Sequence, residues 1–381
     1  MKKRSAFLLC VMLMVCTTWI TSGSAACAAP EIAAEAAATA EVETGRILFS
    51  KNGDRQLPMA STTKIMTAIL AVESGRLDEV VTIPREAAGV EGSSIYLKAG
   101  EKFTLEHLVY GLMLRSGNDA AEAIAIFLAG DVPSFVKQMN EKAKEIGASH
   151  TQFQNPHGLP ADGHYTTAND LARIAAYGMR NETFATIVGT KSMTMEPQGA
   201  GERRTIENKN KLLWNLEGGI GIKTGYTKAA GKCLVGAVEN DTARVVSVVL
   251  NDQSMWDDSI LWLNTSLKQL KKTDILSIGT VAGRVPVSGA VDQQTQVEAV
   301  TTDSFSFALM ESEKEKIDVQ YDLYTGVQAP VAQGDPLGTC TITFDGQIVY
   351  QGDVVANQSI KADTWSDRLR KVINGWISLA S

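Results

Sequence analysis

Cysteine is scarce in the body of this chain. Of five cysteines in 381 residues, Cys10, Cys16 and Cys27 sit near the N-terminus, which leaves only Cys233 and Cys340 beyond it. Two thiols cannot build a disulfide framework. Cys233 lies inside the apolar run Cys233–Val238, the setting of a small buried strand residue rather than a reactive thiol, and Cys340 reads the same way. Positive charge is also short: 36 Lys and Arg stand against 43 Asp and Glu, a formal charge of −7. Removing a basic leader takes the rest to about −10, which argues against a nucleic-acid partner. Histidine numbers four. His150, His157 and His164 recur every seven residues, yet Pro156, Gly158 and Pro160 break any helix that would gather them on one face, so no metal and no cofactor is expected. Internal repeats are missing, and an Ala-rich stretch is the sole low-complexity feature.

The length suits two domains, each with its own core. Residues 1–29 read as an export signal: Lys2, Lys3 and Arg4, an apolar run from Ala6 to about Ile20, then small residues through Ala29. Cleavage fits after Ala26 or Ala28, and Ser24-Ala-Ala-Cys27 leaves lipid attachment at Cys27 open.

After an Ala-rich spacer to about Thr39, a strand pair is expected around the turn Glu43-Thr44-Gly45. A helix opens at Pro58-Met-Ala-Ser61, with Ile65, Met66, Ile69, Leu70 and Val72 as its inward stripe. Further helices are expected at 104–115, 119–128, 134–146 and 169–179, then strands at 221–225, 232–238 and 244–250 and a helix at 256–270. From about Asp274 to Ile360 the texture changes to short alternating strands with Gly and Pro turns, which suggests a small β-sandwich. The expected units are 39–272, 274–360 and a tail at 361–381.

Ser61-Thr-Thr-Lys64 places a hydroxyl and an amine one helical turn apart on one face. A serine needs a base before it attacks an amide, and a lysine desolvated beside other cations can be held neutral to serve. The helix start adds partial positive charge where an oxyanion develops. Alone, the tetrad describes a cap and a solvated lysine equally well. Two further elements change that: Ser116-Gly-Asn118 falls between two expected helices, and Lys223-Thr-Gly225 falls on an expected strand.

These three motifs, in this order, resemble those of the serine penicillin-recognising enzymes. The phrases Leu57–Thr67, Ser116–Ala120, Asn155-Pro-His-Gly-Leu159 and Gly221–Thr227 are similar to those of low-molecular-mass D-alanyl-D-alanine carboxypeptidases. The resemblance implies an α+β fold: a central antiparallel sheet flanked by helices, with an all-helical insert, followed by the β-sandwich and a C-terminal helix. It implies that Ser61 is the acylated nucleophile, Lys64 its base and Ser116 a proton relay. Asn118 would hold the substrate backbone, and Lys223 and Thr224 would face the terminal carboxylate. Gly225 would allow close approach, and the backbone N–H groups of Ser61 and Tyr226 would bind the oxyanion. Lys209 stands where the family often has a basic residue near the site, and reads equally as a solvated loop lysine. The implied partners are peptidoglycan stem peptides ending in D-Ala-D-Ala and β-lactam inhibitors. The implied location is the outer face of the cytoplasmic membrane or the cell-wall space.

Two departures matter. Family members commonly carry an arginine soon after the last strand of the sheet, where this chain has Asn251–Asp258. A β-lactamase of class A deacylates with a glutamate in Glu-x-x-x-Asn, and no glutamate between Asn118 and Lys223 has that spacing. Endopeptidase or transpeptidase action on the same residues stays open. A non-catalytic sensor or scaffold is disfavoured by the intact Lys64, Ser116 and Lys223.

At the C-terminus, Trp365, Leu369, Val372, Ile373, Trp376 and Ile377 follow helical spacing and form one apolar stripe. Six charged residues lie between Lys361 and Ser381, too many for a simple apolar span. A helix lying in an anionic membrane surface fits, with packing on the β-domain as the other reading.

Overall fold

The computed structural model describes residues 29–291 and 294–379; residues 1–28, with the export signal and Cys27, lie outside the described residues. Five strands form one antiparallel sheet in the spatial order Ile47–Lys51, Ala36–Glu41, Arg244–Leu250, Gly231–Glu239, Gly219–Thr227. The Ala-rich stretch is therefore no spacer, because Ala36–Glu41 pairs on both sides within this sheet. Its side chains alternate between two cores: Ala36, Ala38 and Ala40 face one and Ala37 the other. Alanine has little intrinsic strand preference, but its small side chain lets helices pack closely on both faces.

On one face lie α1 (Lys64–Glu73), α2 (Leu105–Arg115), α3 (Asn118–Ala129), α4 (Val132–Glu145), α5 (Ala168–Met179) and α6 (Glu182–Gly189). Four of these starts are fixed by polar caps: Thr104, Asp131, Thr167 and Asn181 each accept from a backbone N–H in the first turn of α2, α4, α5 and α6. Two short hairpins accompany these helices, Val80–Thr82 with Lys102–Thr104 and Ser192–Met195 with Arg204–Glu207. A single turn, α7 (Leu212–Asn215), precedes the edge strand Gly219–Thr227. The opposite face is covered by α8 (Met255–Gln269), whose Trp262 is buried and donates Nε1–H to the carbonyl of Pro30.

The C-terminal region begins with strand Lys271–Leu276, which pairs with Phe305–Leu309. A six-stranded sheet follows, in the order Ile317–Leu323, Pro336–Phe344, Gln347–Ala356, Gln296–Thr301, Val281–Ser288, Val327–Gln328. It encloses a core that includes Val285, Val297, Ile342, Val354 and Cys340. Cys233 is likewise buried, and burial pushes its thiol up to about 11, so neither cysteine is a poised nucleophile. The last element is α9 (Trp365–Leu379).

Candidate active site

Ser61 occupies a 3-10 turn, Ala60–Thr63, that leads directly into α1. The sequence places Ser61 at a helix start, and the tighter turn moves the α-helix proper to Lys64. Ala60 adopts a left-handed φ of 49°, rare for a residue with a Cβ. This geometry is held from below. Thr63 Oγ1 donates to the Ala60 carbonyl at 2.9 Å, and His164 Nε2 lies 2.8 Å from the same hydroxyl. His164 Nδ1 accepts from the Gln154 N–H, so its proton is on Nε2 and the chain runs His164 to Thr63 to Ala60. Burial, with the neighbouring His157 and Lys64, lowers His164 to about 4 and keeps the ring neutral.

Lys64 is fully buried. Its Nζ lies 3.1 Å from Ser61 Oγ and 2.7 Å from Asn118 Oδ1, and it also bonds to the His157 carbonyl. The Asn118 amide cannot be turned round, because its Nδ2 donates to the Glu91 carbonyl. Desolvation, then the charge of Lys223, holds Lys64 well below the usual lysine range; Asp119 opposes this and Lys209 adds to it. A neutral amine has two N–H donors and one lone pair. Two of its three partners, the Asn118 and His157 oxygens, can only accept. The lone pair is left for Ser61, whose hydroxyl can donate.

The His157 carbonyl is itself fixed. Asn155 Oδ1 accepts from the N–H groups of His157 and Gly158, Leu159 N donates to His157 Nδ1, and His157 Nε2 lies 3.2 Å from Glu122. A Cβ on Gly158 would stand 1.9 Å from the Ala60 carbonyl oxygen at a φ of +89°, so glycine is required where this loop passes under the nucleophile. His157 and His164 are thus buried supports of the site, whereas the broken sequence pattern shows them only as loop residues.

Ser116 terminates α2 in a left-handed conformation, φ 67°, and Gly117 opens α3 so that Asn118 stands at its first turn. Asp119 accepts from the N–H groups of Ile95 and Leu97 and from Ser94 Oγ, and Asn118 N donates to the Ser93 carbonyl. These bonds bring the loop carrying Ser93 to the cleft. On the other side runs the edge strand, where a Cβ on Gly225 would lie 3.1 Å from Ser61 N. Lys223 is buried, donates to the Thr224 carbonyl, and is lowered to about 7 by desolvation and by Lys209.

These elements enclose a cleft of about 530 Å³ lined by Ser61, Ser116, Lys209, Thr224, Gly225 and Tyr226. Lys64, Asn118 and Lys223 are buried next to these residues, Lys64 bonding to Ser61 and Asn118, and Lys223 to the Thr224 carbonyl. Lys209, ambiguous in the sequence, lines the cleft with its side chain still exposed, and is itself lowered, first by desolvation and then by Arg115. Lys232, Met255 and Trp256 line it too, and no motif announces them.

The sequence profile of the family described as D-alanyl-D-alanine carboxypeptidase matches residues 23–254. The chain belongs to the D-alanyl-D-alanine carboxypeptidase family. It is a serine-type hydrolase of cell-wall biogenesis. Residues 271–362 of this carboxypeptidase match the profile described as the C-terminal domain of penicillin-binding protein 5. A D-alanyl-D-alanine carboxypeptidase of Bacillus subtilis, DacF, is 29% identical over 352 residues, covering 90% of either chain. One from a Streptomyces species is 37% identical over 242 residues, 59% of this chain and 83% of its own. Penicillin-binding protein 5 of Haemophilus influenzae superposes with a TM-score of 0.63 at 26% identity, over 87% of this chain and 98% of its own.

Proposed function

We propose that this carboxypeptidase removes the terminal D-alanine of peptidoglycan pentapeptide stems through an acyl-enzyme on Ser61. The observation that carries the assignment is the set of partners around Lys64, two obligate acceptors and one hydroxyl. Neutral Lys64 takes the Ser61 proton as Oγ bonds to the penultimate D-alanyl carbonyl carbon. The C–N bond to the last residue then breaks, and Ser116, on the cleft wall, relays the proton to the departing amine. Water attacks the resulting ester by the reverse path and frees Ser61. Backbone N–H groups of Ser61 and Tyr226 receive the oxyanion, Asn118 holds the substrate amide, and Lys223, Thr224 and Lys209 attract the carboxylate. β-Lactams acylate the same serine. D-Alanine release from a diacyl-L-Lys-D-Ala-D-Ala peptide, together with a benzylpenicillin adduct lost in Ser61→Ala, tests the reading. Rapid penicillin opening with the peptide left intact would overturn it.

We also assign the expected residues 39–272, extended back to Ala36 by the first strand of the sheet, to the catalytic unit, 274–360 to the sheet unit and 361–381 to an interfacial membrane helix on the outer face of the cytoplasmic membrane. Support comes from α9, where Trp365, Leu369, Val372 and Ile373 are all exposed rather than packed on the sheet unit. Among the described residues, no helix is long and apolar enough to cross a membrane.

A further inference from the structure

The cleft gathers basic groups and lacks acidic ones. Lys209 and Lys232 line its wall and no Asp or Glu is among the lining residues; of the buried groups nearby, Asp119 acts on Lys64. Of the two buried lysines, Lys64 is committed to Ser61, Asn118 and His157, and Lys223 spends one donor on the Thr224 carbonyl. Both are buried, so each is costly to charge.

Lys232 differs. It sits on the strand Gly231–Glu239, directly opposite Tyr226 in the antiparallel register, two positions from the pair of Thr224 with Leu234. Alternation along a strand therefore puts Thr224, Tyr226 and Lys232 on one face, beside the substrate-facing edge. It is half-buried, its ammonium makes one long 3.4 Å bond to the Gln253 carbonyl, and among the described residues no carboxylate lies within ion-pair distance. The wall beside it is apolar, built by Met255 and Trp256 at the start of α8. An ammonium next to such a wall attracts an anion more strongly than one in open water.

We propose that Lys232 is a specificity-determining residue, a further cation beside Lys223 and Lys209 that draws the free carboxylate of the leaving group into the cleft beside Thr224. The proposal rests on the acyl-transfer reading above and adds to it a residue on the neighbouring strand. It makes the requirement for a free C-terminal carboxylate depend on Lys232.

The test uses the full mature chain and two acyl-D-alanyl thioesters, one whose thiol leaving group carries a free carboxylate and one in which that carboxylate is a methyl ester. Losing a hydrogen bond to a charged group corresponds to about tenfold or more in kcat/KM. Lys232→Met should lower the preference for the carboxylate over the ester by about that factor, chiefly through KM, and Lys232→Arg should restore it. An unchanged preference in Lys232→Met, or an equal loss on both thioesters, would overturn the proposal. D-Alanine release from the peptide by the wild-type enzyme is measured alongside. Its absence would sink the carboxypeptidase reading separately, since the thioester preference does not depend on it.

Discussion

Arg46 Nε lies 3.0 Å from Glu313 Oε1 and joins the first sheet to the C-terminal region. The same guanidinium bonds Glu41 at 2.7 Å and the Ala308 carbonyl, and lies over the rings of Phe307 and Phe344. All three ionic side chains are nearly buried, with 10% exposure or less. Removing the arginine leaves two buried carboxylates without their cation, though Glu41 keeps its bonds from Glu43 and Thr44 and Glu313 its bond from Met310. Arg46→Ala should therefore cost about 3–5 kcal/mol. Urea unfolding should show it, either as a lower midpoint or as the C-terminal region separating in its own transition; an unchanged curve would contradict the arrangement.

Lys64→Ala removes the base and should slow benzylpenicillin acylation by about 10²–10⁴-fold. Stopped-flow or mass-resolved acylation kinetics measure this directly. Acylation at the wild-type rate would mean that another group activates Ser61.

Lys223 gives a pH dependence with a definite sign. Its proton is held to about 7, so kcat/KM on a carboxylate-bearing peptide should decline as pH rises through that value and the positive charge is lost. Lys223→Arg keeps its charge and should carry activity to higher pH. Stability runs the other way: the unfolded chain binds the Lys223 proton up to about pH 10.4, the folded chain only to about 7, so folding is penalised at lower pH and regains stability between these values. Lys223→Met should raise the Tm at pH 6 and lose that advantage near pH 10.5. Differential scanning calorimetry at both pH values decides it.

Gly158→Ala places a methyl group against the Ala60 carbonyl in a left-handed conformation. The expected result is a loss of about 2 kcal/mol or more in stability, combining backbone strain with a clash, and slower acylation by displacement of the nucleophile turn. Thermal unfolding and penicillin labelling check the two effects separately.

Truncation before Lys361 should abolish co-sedimentation with anionic liposomes and leave D-alanine release from soluble peptide unchanged. Loss of folding on truncation, with no liposome binding by the full mature chain, would make α9 a structural element instead.

Much of the site is legible in the sequence because its chemistry depends on local spacing. Ser61 and Lys64 are one turn apart in any helix-like conformation, and Ser116-Gly-Asn118 marks a helix-to-helix corner. What is not legible depends on tertiary placement. The buried strand Ala36–Glu41 looks like a spacer because alanine carries no period-2 contrast when both faces are covered. His157 and His164 look like loop residues because their partners, Glu122 and Thr63, are distant in sequence. Lys232 carries no motif, and only strand pairing with Tyr226 brings it to the cleft.

The catalytic strand Gly219–Thr227 lies at one edge of the five-stranded sheet and Ile47–Lys51 at the other, beside the turn that bears Arg46. Four interstrand steps of about 4.8 Å set the two edges roughly 19 Å apart. The joint to the C-terminal region and the catalytic strand thus stand at opposite margins of one hydrogen-bonded sheet, so the attachment of the C-terminal region and the acylation chemistry are spatially separate.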